Sequence, residues 1–150
     1  MPLSFHTRSA LTDALLRIVP ESAEFQWSRA ELDARRAQTL IDRQQPDEAV
    51  ELYKKSLQQK DAIVRRYPDA VHWKLAYGKS FTPPALLFER LGRIEEAIAL
   101  FRRGIDVLQS LETNSIVAGE VAIALQSQYN RLSNLMLHRI PAFHHPLDHD

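Results

Sequence analysis

The chain has 150 residues, with 19 basic and 19 acidic side chains that leave a formal net charge of zero. This length is enough for a domain with a full hydrophobic core, and the neutral balance gives no overall field that would favour nucleic acid or an anionic membrane. Cysteine is absent, so disulfides and thiolate metal sites are excluded.

The apolar stretch at 10–19 is interrupted by Asp13 and Arg17, so it does not resemble the core of a signal peptide. No apolar run approaches the roughly 20 residues of a membrane span. We therefore expect a cytoplasmic protein without a membrane-embedded segment.

Helical signals dominate from the N-terminus onward. A first helix is predicted over about 9–19, capped by Ser9 and ended by Pro20. A second is predicted over about 23–43, where apolar and small residues recur at helical spacing. A third is predicted over 46–67, because the proline at its start lacks an N–H that would be unpaired there anyway.

The fourth predicted helix contains a break. Asp69 is predicted to cap it, and Gly78 to interrupt it. Thr82 is then predicted to cap a short second segment with Pro83 at its first position, and Gly92 follows the end of that segment.

Two further helices are predicted over about 94–112 and 115–139. The chain is therefore expected to form about six helices in one domain, residues 1–140. Residues 141–150 are polar and are expected to form a flexible C-terminal tail.

A repeat of 48 residues runs through these predicted helices. The pattern Leu-Gly-Arg-Ile-Glu-Glu-Ala-x-x-x-Phe ends at Phe101, and a weaker copy ends at Tyr53, 48 positions upstream. In each copy an alanine, Ala97 or Ala49, precedes the aromatic residue by four positions. Helix pairs that recur at a fixed period bury their apolar faces by stacking on one another, so the repeat predicts a helical array.

The pattern resembles the tetratricopeptide repeat (TPR) family, whose first helix carries an aromatic, Leu, a small residue and an aromatic, and whose second helix carries Ala-x-x-x-aromatic. Phe81, Ala85 and Phe88 match the first-helix positions, although Pro84 occupies the leucine position. The same register predicts the first helix of a third helix pair, 48 positions after Phe81. Its matching residues are Tyr129, Leu132, Ser133 and Met136.

The resemblance covers about 31–139 and implies an all-α fold, a right-handed stack of antiparallel helix pairs in an α-α superhelix. The period exceeds the family's usual 34 or so residues by 14, about four helical turns, so each helix of a pair is expected to be longer by about two turns. A plain antiparallel bundle is the alternative.

Tetratricopeptide arrays bind peptides or partner domains along a concave groove lined by their first helices, and the resemblance implies the same role here. The expected function is a non-catalytic scaffold or adaptor for a protein or peptide, with no cofactor and no nucleic-acid or membrane partner. Projecting the family pattern onto the chain predicts nine partner-binding residues: Arg35, Gln38, Lys79, Thr82, Leu86, Glu89, Asn130, Arg131 and Asn134.

Two other functions stay open. The break in the fourth helix would expose Phe81, Leu86 or Leu87 to another copy in a self-associating bundle. A helical metal-dependent enzyme would use His72, which follows Asp69 by three positions, or the histidines of the tail. The chain lacks a Gly-rich phosphate loop, a thiol and a serine elbow, so no catalytic residue and no metal ligand is predicted.

Overall fold

The computed structural model describes residues 4–18 and 22–138, and every helix or strand assigned in these ranges is an α-helix, which confirms the all-α prediction for them. The break predicted in the fourth helix is present and divides it into α4 and α5, so the described residues form seven helical segments. Residues 139–150, including the predicted tail, lie outside the described ranges. In chain order the helices are α1 (Phe5–Ile18), α2 (Ala23–Asp42), α3 (Pro46–Arg66), α4 (Val71–Lys79), α5 (Thr82–Arg90), α6 (Ile94–Gln109) and α7 (Ala118–His138).

The helices belong to two compact units, residues 1–70 and residues 71–150. In the first unit α2 packs along α3 and against α1. In the second unit α6 packs against α4, α5 and α7. Each unit therefore has a core of its own, and the single domain over 1–140 stays a prediction.

The 48-residue repeat is visible in the turns that join α2 to α3 and α5 to α6. Gln44 has a φ of 60°, and Gly92, 48 positions later, has a φ of 74°. In both turns the next N–H donates 2.8 Å to a carbonyl five residues back, as in a Schellman helix end. The pairs are Gln45 to Leu40 and Arg93 to Phe88.

Equivalent positions of the repeat also fill the two cores. Ala49 and Ala97 are both 0% exposed, and the aromatic residues that follow them, Tyr53 and Phe101, are 5% and 0% exposed. The prediction that both Ala-x-x-x-aromatic pairs are buried is therefore confirmed. Alanine at these positions lets neighbouring helices approach closely, while the rings fill the remaining space.

Both units contain a close helix crossing at equivalent residues. In the first unit the buried Ser56 hydroxyl donates to the Ala30 carbonyl at 2.7 Å. In the second unit Gly104 occupies the position of Ser56, and a Cβ there would lie 3.0 Å from the Gly78 carbonyl and closer still to Gln128 Oε1. The Gly78 carbonyl accepts from Gln128 Nε2 at 2.9 Å instead. The carbonyl at the crossing therefore accepts a hydrogen bond from a serine hydroxyl in the first unit and from a glutamine amide of α7 in the second.

The first helix begins four residues earlier than predicted. Ser4 lies just before α1, and its Oγ accepts the backbone N–H of Thr7 at 3.2 Å. Ser9 lies inside α1, where its Oγ accepts from the Arg29 guanidinium at 2.6 Å. The prediction that Ser9 caps this helix was wrong, because Ser4 satisfies a free N–H of the first turn.

The prediction that Thr82 caps α5 was also wrong. The residue before α5 is Phe81, which has helical angles, φ −77° and ψ −22°, and no side-chain cap. Ser80 N–H still donates to the Ala76 carbonyl at 3.0 Å, so the helical hydrogen bonding of α4 extends to Ser80. Pro83 and Pro84 have no N–H to donate to the preceding turn, which explains why the helix is interrupted there.

Other boundaries differ by a few residues. The fourth helix begins at Val71, so Asp69 lies in the turn before it. α6 ends at Gln109 and α7 begins at Ala118, which leaves a longer connection than predicted. Within it Asn114 Oδ1 accepts the Ile116 N–H at 3.0 Å, a local bond that competes with helix formation.

α7 lies where the 48-residue repeat predicts the first helix of a third helix pair. Its inner face is buried at Val121, Leu125 and Leu132. Ser133, the small residue of this register, is exposed, so no close helix contact forms at it among the described residues. The other outward positions of the register are Tyr129 and Met136, and both are exposed.

Tyr53 makes the stability of the first unit sensitive to alkaline pH. Burial raises the pKa of the Tyr53 phenol above its ordinary value of 10.0, and the Asp42 carboxylate adds to the effect. The unfolded chain therefore loses the phenol proton at a lower pH than the folded chain, so stability falls as the pH rises above 10.

Tyr53→Phe should leave the free energy of unfolding within about 1.5 kcal/mol of the wild-type value near neutral pH, because the exchange nearly conserves the side-chain volume. Above about pH 10 the wild type should lose stability that the variant keeps, because phenylalanine cannot ionise. Urea unfolding followed by circular dichroism at a series of pH values measures the difference. Parallel pH profiles for the two proteins would contradict it.

Candidate binding groove

A groove of about 450 Å³ lies within the second unit, between the α4–α5 junction and α7; we call it the α7 groove. The interruption at the two prolines places residues of both α4 and α5 in one of its walls. That wall consists of Lys79, Thr82 and Pro83. The other wall consists of Glu120, Ile123, Ala124, Ser127 and Gln128.

Buried contacts hold both walls of the α7 groove in place. Gln128 is 2% exposed, and its bond to the Gly78 carbonyl ties α7 to α4. Behind Lys79 and Thr82, the rings of Tyr77 and Phe81 pack edge to face with centroids 5.0 Å apart. The Arg103 guanidinium lies 5.0 Å from the Phe81 ring, in cation–π geometry. The groove is therefore built on packed helices, which favours a preformed binding site.

The α7 groove combines charge, hydroxyls and apolar surface. Lys79 is exposed and has no acidic partner among the residues that the structure describes. Glu120 lies on the opposite wall, and Thr82 and Ser127 each offer a hydroxyl. Ile123 is 75% exposed, so it offers apolar surface to a ligand. These groups suit a chain segment with both polar and apolar contacts.

The structure brings two of the nine predicted binding residues, Lys79 and Thr82, into the α7 groove. Leu86 is half-buried on α5 and does not line it. Four other predicted residues of this unit are exposed outside the groove lining: Glu89, Asn130, Arg131 and Asn134.

The two predicted residues of the first unit have different surroundings. Arg35 lines a cleft between α1 and α2. Gln38 is exposed, and its amide donates to Asp42 Oδ1 at 3.4 Å. That all nine residues belong to one binding surface stays a prediction.

Sequence reasoning missed the wall supplied by α7. Ser127 lies 48 positions after Lys79, so the repeat register itself could have pointed to it. Gln128 had no such signal, because glutamine is mostly exposed in proteins and its burial follows from the glycines that face it.

The self-association surface predicted at the helix break is largely buried. Phe81 is 0% exposed and Leu87 is 3% exposed, so the break does not present them to another copy. Leu86 is half-buried. The reason is that the helical connection from α4 to α5 turns these side chains into the core formed with α6.

Residues 4–18 and 22–138 contain neither a metal cluster nor a membrane-spanning helix. These ranges contain no cluster of three or more His, Cys, Asp or Glu side chains placed to hold a metal ion. Asp69 and His72, which lie three positions apart and were considered as metal ligands, are both exposed. None of the helices in the same ranges combines the length and apolar character needed to cross a bilayer.

Comparison of the chain with protein-family models, with curated proteins and with solved structures gives no match in any of the three. The resemblance to tetratricopeptide repeats therefore rests on the residues of the chain. What the described helices establish is an all-α protein with a 48-residue repeat in its turns and core positions.

Proposed function

We propose that the chain is a non-catalytic scaffold that binds an extended segment of a partner protein in the α7 groove. The observation that carries this proposal is the exposed Ile123 beside the free ammonium of Lys79, on two walls held by a buried hydrogen bond. Exposed apolar surface rimmed by polar groups is typical of interaction sites. The tetratricopeptide-like register supports the same role.

The charges of the groove favour one orientation of the segment. Lys79 attracts an acidic side chain, whereas Glu120 on the facing wall repels it. An acidic residue of the ligand therefore lies near Lys79, and an apolar residue covers Ile123. Burial of an isoleucine side chain contributes about 1.5–3 kcal/mol when complete, so Ile123 can supply a large part of the affinity.

Short random peptides displayed on phage and selected on the full chain should enrich sequences that bind the α7 groove. Lys79→Glu and Ile123→Asp should each weaken binding of the enriched peptides by about tenfold or more, which corresponds to about 1.4 kcal/mol. Lys54→Glu, at an exposed site on α3, is the matched control and should bind as the wild type does.

Fluorescence anisotropy with labelled peptides measures these affinities, and circular dichroism checks that each variant is folded. The proposal fails if selection enriches no peptide. It also fails if the enriched peptides bind the wild type and both groove variants equally well.

A further inference from the structure

A second cleft, of about 320 Å³, lies within the first unit between α1 and α2; we call it the α1 cleft. Its α1 wall consists of Arg8, Leu11 and Thr12. Its α2 wall consists of Trp27, Ser28, Glu31, Leu32 and Arg35.

The α1 cleft and the α7 groove use corresponding positions of the chain. The α2 residues Trp27, Ser28, Glu31 and Leu32 lie 96 positions, two repeat periods, before Ile123, Ala124, Ser127 and Gln128. The α1 residues Arg8, Leu11 and Thr12 all lie 71 positions before Lys79, Thr82 and Pro83. The lining residues are therefore spaced alike along the walls of the two clefts, and in this spacing Arg8 corresponds to Lys79.

The α1 cleft carries two cations that are free to bind a ligand. Neither Arg8 nor Arg35 has an acidic or hydrogen-bonding side-chain partner among the described residues. The acidic group of the cleft, Glu31, is 2.8 Å from Lys60 Nζ, and the Lys60 side chain is only 3% exposed. Because this ion pair neutralises Glu31, the charge that the cleft offers to a ligand is positive.

Apolar side chains also line the α1 cleft. Leu11 is half exposed, and Leu32 is buried in the wall of the cleft. The Trp27 ring is held from one side by Lys60 Nζ, 5.3 Å from its centroid. A ligand of this cleft therefore needs an apolar group next to its negative charge.

We infer that the α1 cleft binds an acidic segment of a partner protein. Carboxylates of the segment pair with Arg8 and Arg35, since guanidinium groups match carboxylates in two parallel hydrogen bonds. A neighbouring apolar side chain of the segment packs on Leu11 and Trp27. This site is separate from the α7 groove, and the inference holds whether or not that groove binds a ligand.

The test uses the full chain and immobilised short peptides that carry Asp and Glu beside Leu or Phe, together with copies in which Asn and Gln replace the acids. The acidic peptides should bind about tenfold or more tightly than their amide copies. Arg8→Glu and Arg35→Glu should each remove that preference. Arg43→Glu, at an exposed site at the end of α2, is the matched control and should keep it.

A second measurement locates the binding. The chain has two tryptophans, so in Trp73→Phe the fluorescence reports Trp27 alone. Addition of an acidic peptide should change the Trp27 emission, and Arg8→Glu should abolish the change. The inference is overturned if acidic and amide peptides bind alike, if Arg8→Glu binds as tightly as the wild type, or if inorganic phosphate alone reproduces the change in emission.

Discussion

Replacing Gly104 with alanine should lower the free energy of unfolding of the second unit by about 2–4 kcal/mol, because a new methyl group meets groups that cannot move freely. One is the Gly78 carbonyl, 3.0 Å away on another helix. The other is Gln128 Oε1, whose displacement would break the buried bond from Gln128 Nε2 to Gly78. Urea unfolding monitored by circular dichroism measures the loss.

The first unit suggests how the loss can be repaired. There, Ser56 occupies the position of Gly104 and donates to the Ala30 carbonyl. Gly104→Ser combined with Gln128→Ala should therefore be more stable than Gly104→Ala, since the new hydroxyl can reach the Gly78 carbonyl once the amide is gone.

Gly119→Ala is the control for the effect of alanine itself. A Cβ at Gly119 meets nothing within 4 Å, so this change should be neutral or stabilise α7 by up to about 1 kcal/mol. If Gly104→Ala proves as stable as Gly119→Ala, then α4 and α6 do not approach each other at Gly104 as closely as the structure indicates.

Phe101→Ala should cost about 3–5 kcal/mol, because it leaves a cavity in the core of the second unit where the ring is fully buried. Tyr53→Ala should have an effect of similar size in the first unit, since Tyr53 occupies the equivalent position. Leu137→Ala removes an exposed side chain of α7 and should change stability by no more than about 0.5 kcal/mol.

Thermal and urea unfolding of the three variants measure these differences. The equivalence of the two repeats predicts that both aromatic variants are strongly destabilised and that the control is not. A large loss for Phe101→Ala with almost none for Tyr53→Ala would show that the 48-residue register does not describe equivalent cores.

Several elements of the fold could be predicted because their signals are local. The proline at position 46 marks the start of α3, as predicted. The burial of both Ala-x-x-x-aromatic pairs could be predicted because the pattern occurs twice in the chain at the same spacing. Ser9 and Thr82 were wrongly predicted as caps, because a cap residue forms only where the chain actually leaves the helical conformation.

The two clefts were harder to predict because they depend on which helices face each other. Projecting a family pattern onto the repeat selected Lys79 and Thr82, which line the α7 groove, and Arg35, which lines the α1 cleft. Arg8 and Trp27 were missed, because α1 had no partner in that pattern. The burial of Lys60 could not be foreseen either, since lysine is mostly exposed and its pairing with Glu31 bridges two helices.

The matching turns at Gln44 and Gly92 have a consequence for how such a chain can grow. Each turn ends one helix and begins the next through the same left-handed residue and the same hydrogen bonds. A gene duplication of residues 45–92 would therefore join Gly92 to a second copy of Gln45 in a backbone conformation that the chain already adopts. Unequal exchange between such copies could lengthen or shorten the protein by units of 48 residues without requiring a new connecting loop.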